Sequence, residues 1–253
     1  MNNMKSKLFF LFIPLTFIYI LFILIPIIRA ITFEPFSLIL ADLSSGIVQS
    51  IIITYILCAI VAGIAVAMSL PYAFVMSRKR NILYRAMDSV VEIPIMIPHT
   101  VVGIIMLLTF EPTMPLGNLL TKIFPGYSFD DTVFAVIVTL FFLSSAYSIR
   151  EIGVAYQKEI MDYENVAQTL GISEGKSFLI ISIRLLLRAI LKGFLLSWAR
   201  SVSEVGAILI VAYYILPGFT KLAGVFIYSQ FIGEGLDAAA ALSQPAVASA
   251  EIL

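Results

Sequence analysis

Cysteine and histidine are nearly absent from this chain of 253 residues, which contains one of each. The single cysteine, Cys58, excludes an intrachain disulfide framework, and the single histidine, His99, excludes a metal site built from several imidazoles. Charged residues are also scarce, at 13% of the chain, and the 16 basic residues balance the 16 acidic ones. Because the chain carries no net positive charge, nucleic acid is not an expected partner.

Apolar residues account for 60% of the chain, whereas a soluble domain has about 45–50% apolar and about 25% charged residues. This composition excludes a water-soluble globule. A helix needs about 20 apolar residues to cross a bilayer, so the long apolar runs predict an all-α membrane protein with six transmembrane helices. The predicted spans are residues 8–28, 47–70, 90–110, 132–148, 189–214 and 236–253, the last of which contains Gln244, Pro245 and Glu251.

Lys and Arg are concentrated on one side of the predicted bundle. Twelve of the 16 lie at the N-terminus and in the second and fourth loops, whereas only Arg29, Lys122 and Lys221 lie in the opposite loops. Since short cytoplasmic loops carry the positive excess, both termini are predicted to be cytoplasmic. The fourth loop, about residues 150–188, is the longest, and no loop is long enough for a separate domain. Residues 1–253 are therefore predicted to form a single transmembrane domain.

The fourth loop is predicted to contain a short helix. Asp162 can cap its N-terminus, and Glu164 in its first turn is favoured by the helix dipole. Gly171 is expected to end the helix. Its small apolar face consists of Val166, Ala167 and Leu170. A lone helix of about two to three turns is marginal in water, so this one is expected to need a partner surface.

Two patterns in this loop look like enzyme motifs but lack the context that those motifs need. Residues 171–175 fit the G-x-S-x-G pattern of a nucleophile elbow, yet they follow a predicted helix instead of a strand, and the only histidine lies in the third span. Residues 171–177 look like a phosphate-binding loop, yet three residues separate the glycines where four are needed. The chain is therefore expected not to be an enzyme and not to hydrolyse ATP itself.

The same loop resembles the EAA loop of ABC-importer permeases, whose pattern is E-A-A-x3-G-x9-I-x-L-P. Residues 164–171 read Glu-Asn-Val-Ala-Gln-Thr-Leu-Gly, and Ile-Ser-Ile follows at the corresponding spacing. The sequence departs from the pattern at Asn165, Val166 and Arg184. Further similarity to molybdate/tungstate permeases, much of it shared with sulfate permeases, extends over residues 94–103, 115–117 and 199–207.

This resemblance implies the permease subunit of a prokaryotic ABC importer, embedded in the lipid bilayer of the cell membrane, that moves an oxyanion by alternating access. The resemblance favours molybdate or tungstate as the substrate. It also implies three protein partners, which are a second copy of the chain, a cytoplasmic ATPase dimer and an external substrate-binding protein. ATP and Mg²⁺ are expected on the ATPase, and no cofactor is expected on this chain. The implied coupling helix, between the fourth and fifth spans, includes Glu164, Asn165, Val166, Ala167, Leu170 and Gly171.

Polar residues inside two predicted spans are candidates either for the transport pathway or for helix packing. Arg200 and Glu204 are four residues apart and can pair on one helix face. We expect this pair, with Ser203 beside it, to fix helix packing more than to attract an anion, because a paired Arg has little charge left for a ligand. The third span also contains candidates for the pathway or for helix packing, and its prolines permit a kink. These candidates are Glu92, Pro94, Pro98 and His99.

Other functions remain open on the sequence alone. The cargo of such an importer could be sulfate or another anion. An intramembrane hydrolase would need a serine and a histidine, or two carboxylates, facing each other within the membrane. A membrane anchor or sensor would retain its function after replacement of the EAA helix.

Overall fold

The computed structural model describes residues 7–32, 46–78, 82–156, 158–215, 218 and 220–251. These residues are helical apart from short connections, and their only β pairing is an isolated bridge between Ile215 and Thr220. A π-helical turn spans Phe178–Ser182. The α-helices are α1 (Lys7–Thr32), α2 (Ile47–Arg78), α3 (Ile82–Met96), α4 (His99–Phe110), α5 (Pro115–Ile123), α6 (Val133–Ala155), α7 (Lys158–Thr169), α8 (Glu174–Ser177), α9 (Ile183–Val202), α10 (Ile208–Val211), α11 (Ala223–Glu234) and α12 (Leu236–Glu251).

The chain divides into two compact units. Residues 1–51 and 226–253 form the first unit, in which α1 packs against α12. Residues 52–225 form the second unit, which contains the loop and the intramembrane charges identified from the sequence.

Three helical segments are long and apolar enough to cross a membrane: Phe12–Thr32, Ile47–Arg78 and Val133–Ala155. The pair Ala86–Met96 and His99–Phe110 also qualifies if it counts as one span, although its two halves are bent by 114°. The part of the chain that the structure describes therefore has three or four candidate spans. An all-helical membrane protein agrees with the sequence analysis, and the count of six spans stays a prediction.

Two predicted spans are not continuous helices. The third is broken between Met96 and His99, because Pro98 lacks an N–H group and disfavours a helical conformation at Ile97. The fifth was predicted as residues 189–214, but α9 ends at Val202. Apolar composition alone does not predict where a membrane helix is interrupted.

The short helix of the fourth loop also begins earlier than predicted. Asp162 lies inside α7 instead of capping it, because the helix already includes Lys158. The residues that precede Asp162 are good helix formers. Ile160 among them is buried and packs in an apolar cluster with Ala73 and Leu186, so the added turn is also held by tertiary packing.

The core of the second unit lies where α4, α6 and α10 meet. Phe129, Val136 and Ile208 are fully buried there. Gly103 permits the close approach, because a Cβ atom at this position would lie 2.8 Å from the carbonyl oxygen of Ala207. The breaks in the third and fifth predicted spans are thus packed against each other.

Helix α6 contacts both α2 and α9. The Ser69 hydroxyl of α2 lies 3.1 Å from the Ser148 hydroxyl of α6. From α9, the Ser197 hydroxyl donates to the carbonyl oxygen of Ser144 at 3.0 Å. These contacts place the three helices around the start of the fourth loop.

Candidate functional site

Helix α7 and the residue that follows it present an apolar stripe to the surface. Tyr163, Val166 and Leu170 lie three and four residues apart and are 59%, 59% and 78% exposed. They line a groove of about 550 Å³, together with Ile172 and Ile180 from the segment that follows. Such an apolar surface on a polar loop is typical of a site that another protein covers.

The turn after α7 depends on Gly171. Its φ angle is +86°, a conformation that glycine adopts without strain. The N–H of Ile172 bonds to the carbonyl of Ala167, and the N–H of Gly171 bonds to the carbonyl of Gln168. These two bonds form a Schellman motif, which ends the helix where the sequence predicted and turns Ile172 towards the groove.

A different face of α7 is tied to the rest of the protein by a buried carboxylate. Glu164 is 1% exposed, and its carboxylate accepts hydrogen bonds from Arg78, Tyr156 and Ser182. The Ser177 hydroxyl also bonds to the backbone carbonyl of Glu164, at 3.3 Å. We call Arg78, Tyr156, Glu164 and Ser182 the anchor cluster.

The anchor cluster joins four segments of the chain. Arg78 ends α2, Tyr156 follows α6, Glu164 belongs to α7, and Ser182 ends the π-helical turn. Burial raises the pKa of the Tyr156 phenol, and its hydrogen bond to Glu164 raises that pKa further, so the phenol remains a hydrogen-bond donor. A buried carboxylate is tolerated only when it is paired and hydrogen-bonded, and this cluster meets both conditions.

The structure divides the predicted coupling residues between two environments. Val166 and Leu170 are exposed in the groove, and Asn165 is exposed outside it. Glu164 is buried in the anchor cluster, whereas Ala167 is buried at the groove, which it lines. Arg78, Tyr156 and Ser182 were not predicted as site residues, because no local pattern links Glu164 to an arginine 86 residues away.

Arg200, Glu204 and His99 meet where the third and fifth predicted spans are broken. An Nη2 atom of Arg200 lies 2.9 Å from Glu204 Oε2 and 2.8 Å from His99 Nε2. His99 Nδ1 lies 3.3 Å from the same Glu204 oxygen. Because the guanidinium can only donate, His99 Nε2 is the acceptor in the contact with Arg200. We call these three residues the membrane cluster.

The membrane cluster is open on one side only. The Glu204 side chain is fully buried, that of Arg200 is 13% exposed, and that of His99 is 52% exposed. Glu204 Oε1 also accepts from the backbone N–H of Ala207 at 2.8 Å, a local bond that favours the turn after α9. The predicted pairing of Arg200 with Glu204 is present, although Glu204 lies beyond the end of the helix.

The serine nearest to the membrane cluster is not arranged as a nucleophile. The Ser203 hydroxyl donates to the backbone carbonyl of Arg200 at 2.9 Å and lies 3.5 Å from the Arg200 guanidinium. Both nitrogens of His99 are engaged by Arg200 and Glu204, so neither can accept a proton from a serine in this arrangement. The geometry does not favour the intramembrane hydrolase.

Of the other third-span candidates, Pro98 directly precedes His99, whereas Glu92 and Pro94 lie in α3 on the other side of the break. Glu92 pairs with Arg150 of α6 at 3.1 Å and borders a cavity of about 410 Å³ between α2, α3 and α6. Pro94 lies inside α3, and Pro98 immediately precedes α4. Within the described residues, no group of His, Cys, Asp and Glu side chains could hold a metal ion.

Comparison with known proteins assigns a family to residues 59–243, which match the family described as binding-protein-dependent transport system inner membrane component. The chain is 35% identical, over 177 residues, to the molybdate/tungstate transport system permease protein WtpB of Thermococcus kodakarensis, covering 70% of this chain and 64% of that one. It is 30% identical to WtpB of Pyrococcus abyssi, with 92% and 88% covered. It is 32% identical to the probable transport system permease protein NifC of Clostridium pasteurianum, with 87% and 76% covered.

Proposed function

Because the chain belongs to the family of binding-protein-dependent transport system inner membrane components, we propose that it is the permease subunit of an ATP-driven importer for molybdate or tungstate. Membership makes it a membrane-embedded component of a transport system and not an enzyme. It also implies an ATPase and a substrate-binding protein as partners. The substrate is inferred from the relatives, which are molybdate/tungstate transport system permease proteins.

The observation that carries this proposal is the apolar stripe of α7, composed of Tyr163, Val166 and Leu170. The stripe lies on the loop with the densest positive charge, which the positive-inside rule assigns to the cytoplasm. When a partner covers apolar side chains that face water there, their burial stabilises the complex. We assign the stripe to a groove on the cytoplasmic ATPase, with Asn165, Ala167 and Gly171 completing the coupling helix.

The anchor cluster supplies a path from the docked helix to the membrane. Arg78 holds Glu164 of α7 to the end of α2, and Ser182 holds it to the turn that continues into α9. When ATP binding brings two ATPase subunits together, the docked α7 moves with them. Helices α2 and α9 then follow, because separating them from α7 would break hydrogen bonds to the buried Glu164 carboxylate, each worth about 1.5–3 kcal/mol. This movement is the alternating access that we propose.

The membrane arrangement is part of the same proposal. We assign six spans with both termini in the cytoplasm, a single permease domain over residues 1–253, and a multi-pass location in the cell membrane of a prokaryote. The bias of basic residues towards the inner loops supports this orientation. Two copies of the chain pair, so that each presents one α7 to one ATPase subunit.

The membrane cluster is assigned to helix packing within the pathway region instead of substrate capture. Arg200 is engaged by both Glu204 and His99, so little of its charge is free for an oxyanion. A permease also gains little from tight binding of a substrate that it must release. We therefore assign the choice between molybdate, tungstate and sulfate to the external binding protein.

The test is ATP-driven uptake by the permease reconstituted with its ATPase and its binding protein. We expect uptake of molybdate and tungstate, and we expect Gly171→Asp to insert normally but to lose ATPase capture or coupled uptake. The matched control is Gly175→Asp, in the same loop, where an added side chain meets open space and no unusual φ angle. Sulfate uptake in place of molybdate would overturn the substrate. Normal ATP-driven uptake by the Gly171 variant would overturn the coupling helix.

A further inference from the structure

Helix α5 connects two segments that cross or enter the membrane. It begins after Phe110, where α4 ends, and it is followed by α6, which starts at Val133 and is itself a candidate span. Because both neighbours end at this connection, α5 is held within a few residues of one membrane surface. The connectivity of the chain thus fixes the depth of α5 in the membrane, independently of any partner.

One face of α5 is apolar and uncovered. Leu116, Leu119 and Ile123 lie three and four residues apart, and they are 40%, 52% and 58% exposed. The exposed Asn118 and Lys122 lie on another face of the helix. This separation of apolar and polar side chains is typical of helices that lie in a membrane interface.

A third face of α5 packs on the end of α4. A Cβ atom at Gly117 would lie 2.0 Å from the carbonyl oxygen of Glu111 and 2.5 Å from that of Phe110. Only glycine permits this approach, so α5 lies directly against the chain that leaves α4. The packing uses the Gly117 face and leaves the apolar face of Leu116, Leu119 and Ile123 directed outward.

Aromatic side chains surround the same connection. The rings of Phe110 and Phe129 stack at 5.1 Å, and the ring of Tyr127 contacts Phe134 edge to face at 6.2 Å. The Tyr127 hydroxyl donates to the carbonyl oxygen of Phe110 at 2.8 Å. Tyr and Trp are enriched where membrane proteins pass from hydrocarbon to water, so Tyr127 agrees with an interfacial position for α5.

We propose that α5 lies in the membrane interface, with Leu116, Leu119 and Ile123 in the boundary between headgroups and acyl chains. Asn118 and Lys122 face the lipid headgroups, where the Lys122 ammonium group meets phosphate oxygens. A docking site for the binding protein would face water between transport cycles, whereas lipid covers an apolar face at this depth permanently. Through Gly117, the helix then fixes the depth of the outer half of the bent α3–α4 pair.

Site-directed spin labelling of the full chain in lipid nanodiscs tests this proposal. Cys58 is fully buried, so it can remain while single cysteines are introduced on the surface. Leu119→Cys and Ile123→Cys probe the apolar face, and Asn118→Cys and Lys122→Cys are the matched controls. Collision of each label with oxygen, which concentrates in lipid, is compared with collision with a water-soluble nickel chelate.

We expect the ratio of oxygen to nickel collisions to be several-fold higher at positions 119 and 123 than at positions 118 and 122. Equal ratios at all four positions would place α5 in water and overturn the proposal. Protection of position 119 only after addition of the binding protein would overturn it in favour of a protein-docking face. The inference rests on membrane embedding alone, so it can fail while the proposed substrate and coupling helix stand.

Discussion

The second unit contains two Arg–Glu pairs that differ in how they are built. In the anchor cluster, Arg78 and Glu164 are 86 residues apart and join separate helices. In the membrane cluster, Arg200 and Glu204 are four residues apart, at the end of one helix. Each pair has an aromatic partner, Tyr156 in the first and His99 in the second.

The two clusters also differ in how completely they are enclosed. Both carboxylate oxygens of Glu164 are bonded to side chains from three other segments, and Tyr156 is only 4% exposed. In the membrane cluster, the side chain of His99 is half exposed. The chain is non-helical just before His99, and it is non-helical again at Glu204, after the end of α9. The enclosed anchor cluster is therefore suited to transmit movement while its own contacts stay unchanged. The membrane cluster instead joins two helix breaks, where the chain can bend.

The largest effect should come from breaking the anchor cluster with Glu164→Ala. Among the described carboxylates, Arg78 would keep only its 3.6 Å contact with the exposed Glu174, and the Tyr156 and Ser182 hydroxyls would lose their acceptor. Each hydrogen bond to a charged group contributes about 1.5–3 kcal/mol, and the Glu164 carboxylate accepts three of them. We expect a lower thermal unfolding midpoint and loss of ATP-driven uptake. Gln168→Ala, on an exposed position of the same helix, should leave both unchanged, and a Glu164→Ala protein with normal uptake would remove the anchor from the mechanism.

A smaller effect is expected for His99→Ala in the membrane cluster. The Arg200–Glu204 pair stays intact, and the lost hydrogen bond to the Arg200 guanidinium is worth about 1.5–3 kcal/mol. We expect the variant to capture the ATPase normally but to transport more slowly. Capture is measured by co-purification and transport by initial uptake rate. If His99→Ala lost ATPase capture as Glu164→Ala is expected to do, the two clusters would not have separate roles.

The smallest effect is expected at the exposed pair between Glu92 and Arg150. Their side chains are 51% and 67% exposed, and surface pairs contribute about 0–1 kcal/mol. Glu92→Gln should therefore leave the unfolding midpoint and the uptake rate close to those of the parent protein. A severe loss of uptake with normal stability would instead assign Glu92 to the pathway.

The sequence predicted those features that depend on local chemistry. Apolar runs indicated membrane helices, Gly171 indicated the end of α7, and the spacing of Arg200 and Glu204 indicated their pairing. Non-local contacts were not accessible, since nothing near Arg78 or His99 indicates which distant side chain it meets. The break after Val202 was also not predicted, because residues 189–214 read as one mostly apolar run.

The central claim is that the apolar stripe of α7 binds the ATPase while the anchor cluster holds the helix in place. Its most direct test is the affinity of the reconstituted permease for its ATPase after Leu170→Asp, with Gln168→Asp as the matched control. Leu170 is 78% exposed in the groove, and Gln168 does not line it. We predict at least about a tenfold loss of affinity, or about 1.4 kcal/mol, for Leu170→Asp and none for Gln168→Asp. Equal affinities for both variants and the parent would contradict the claim.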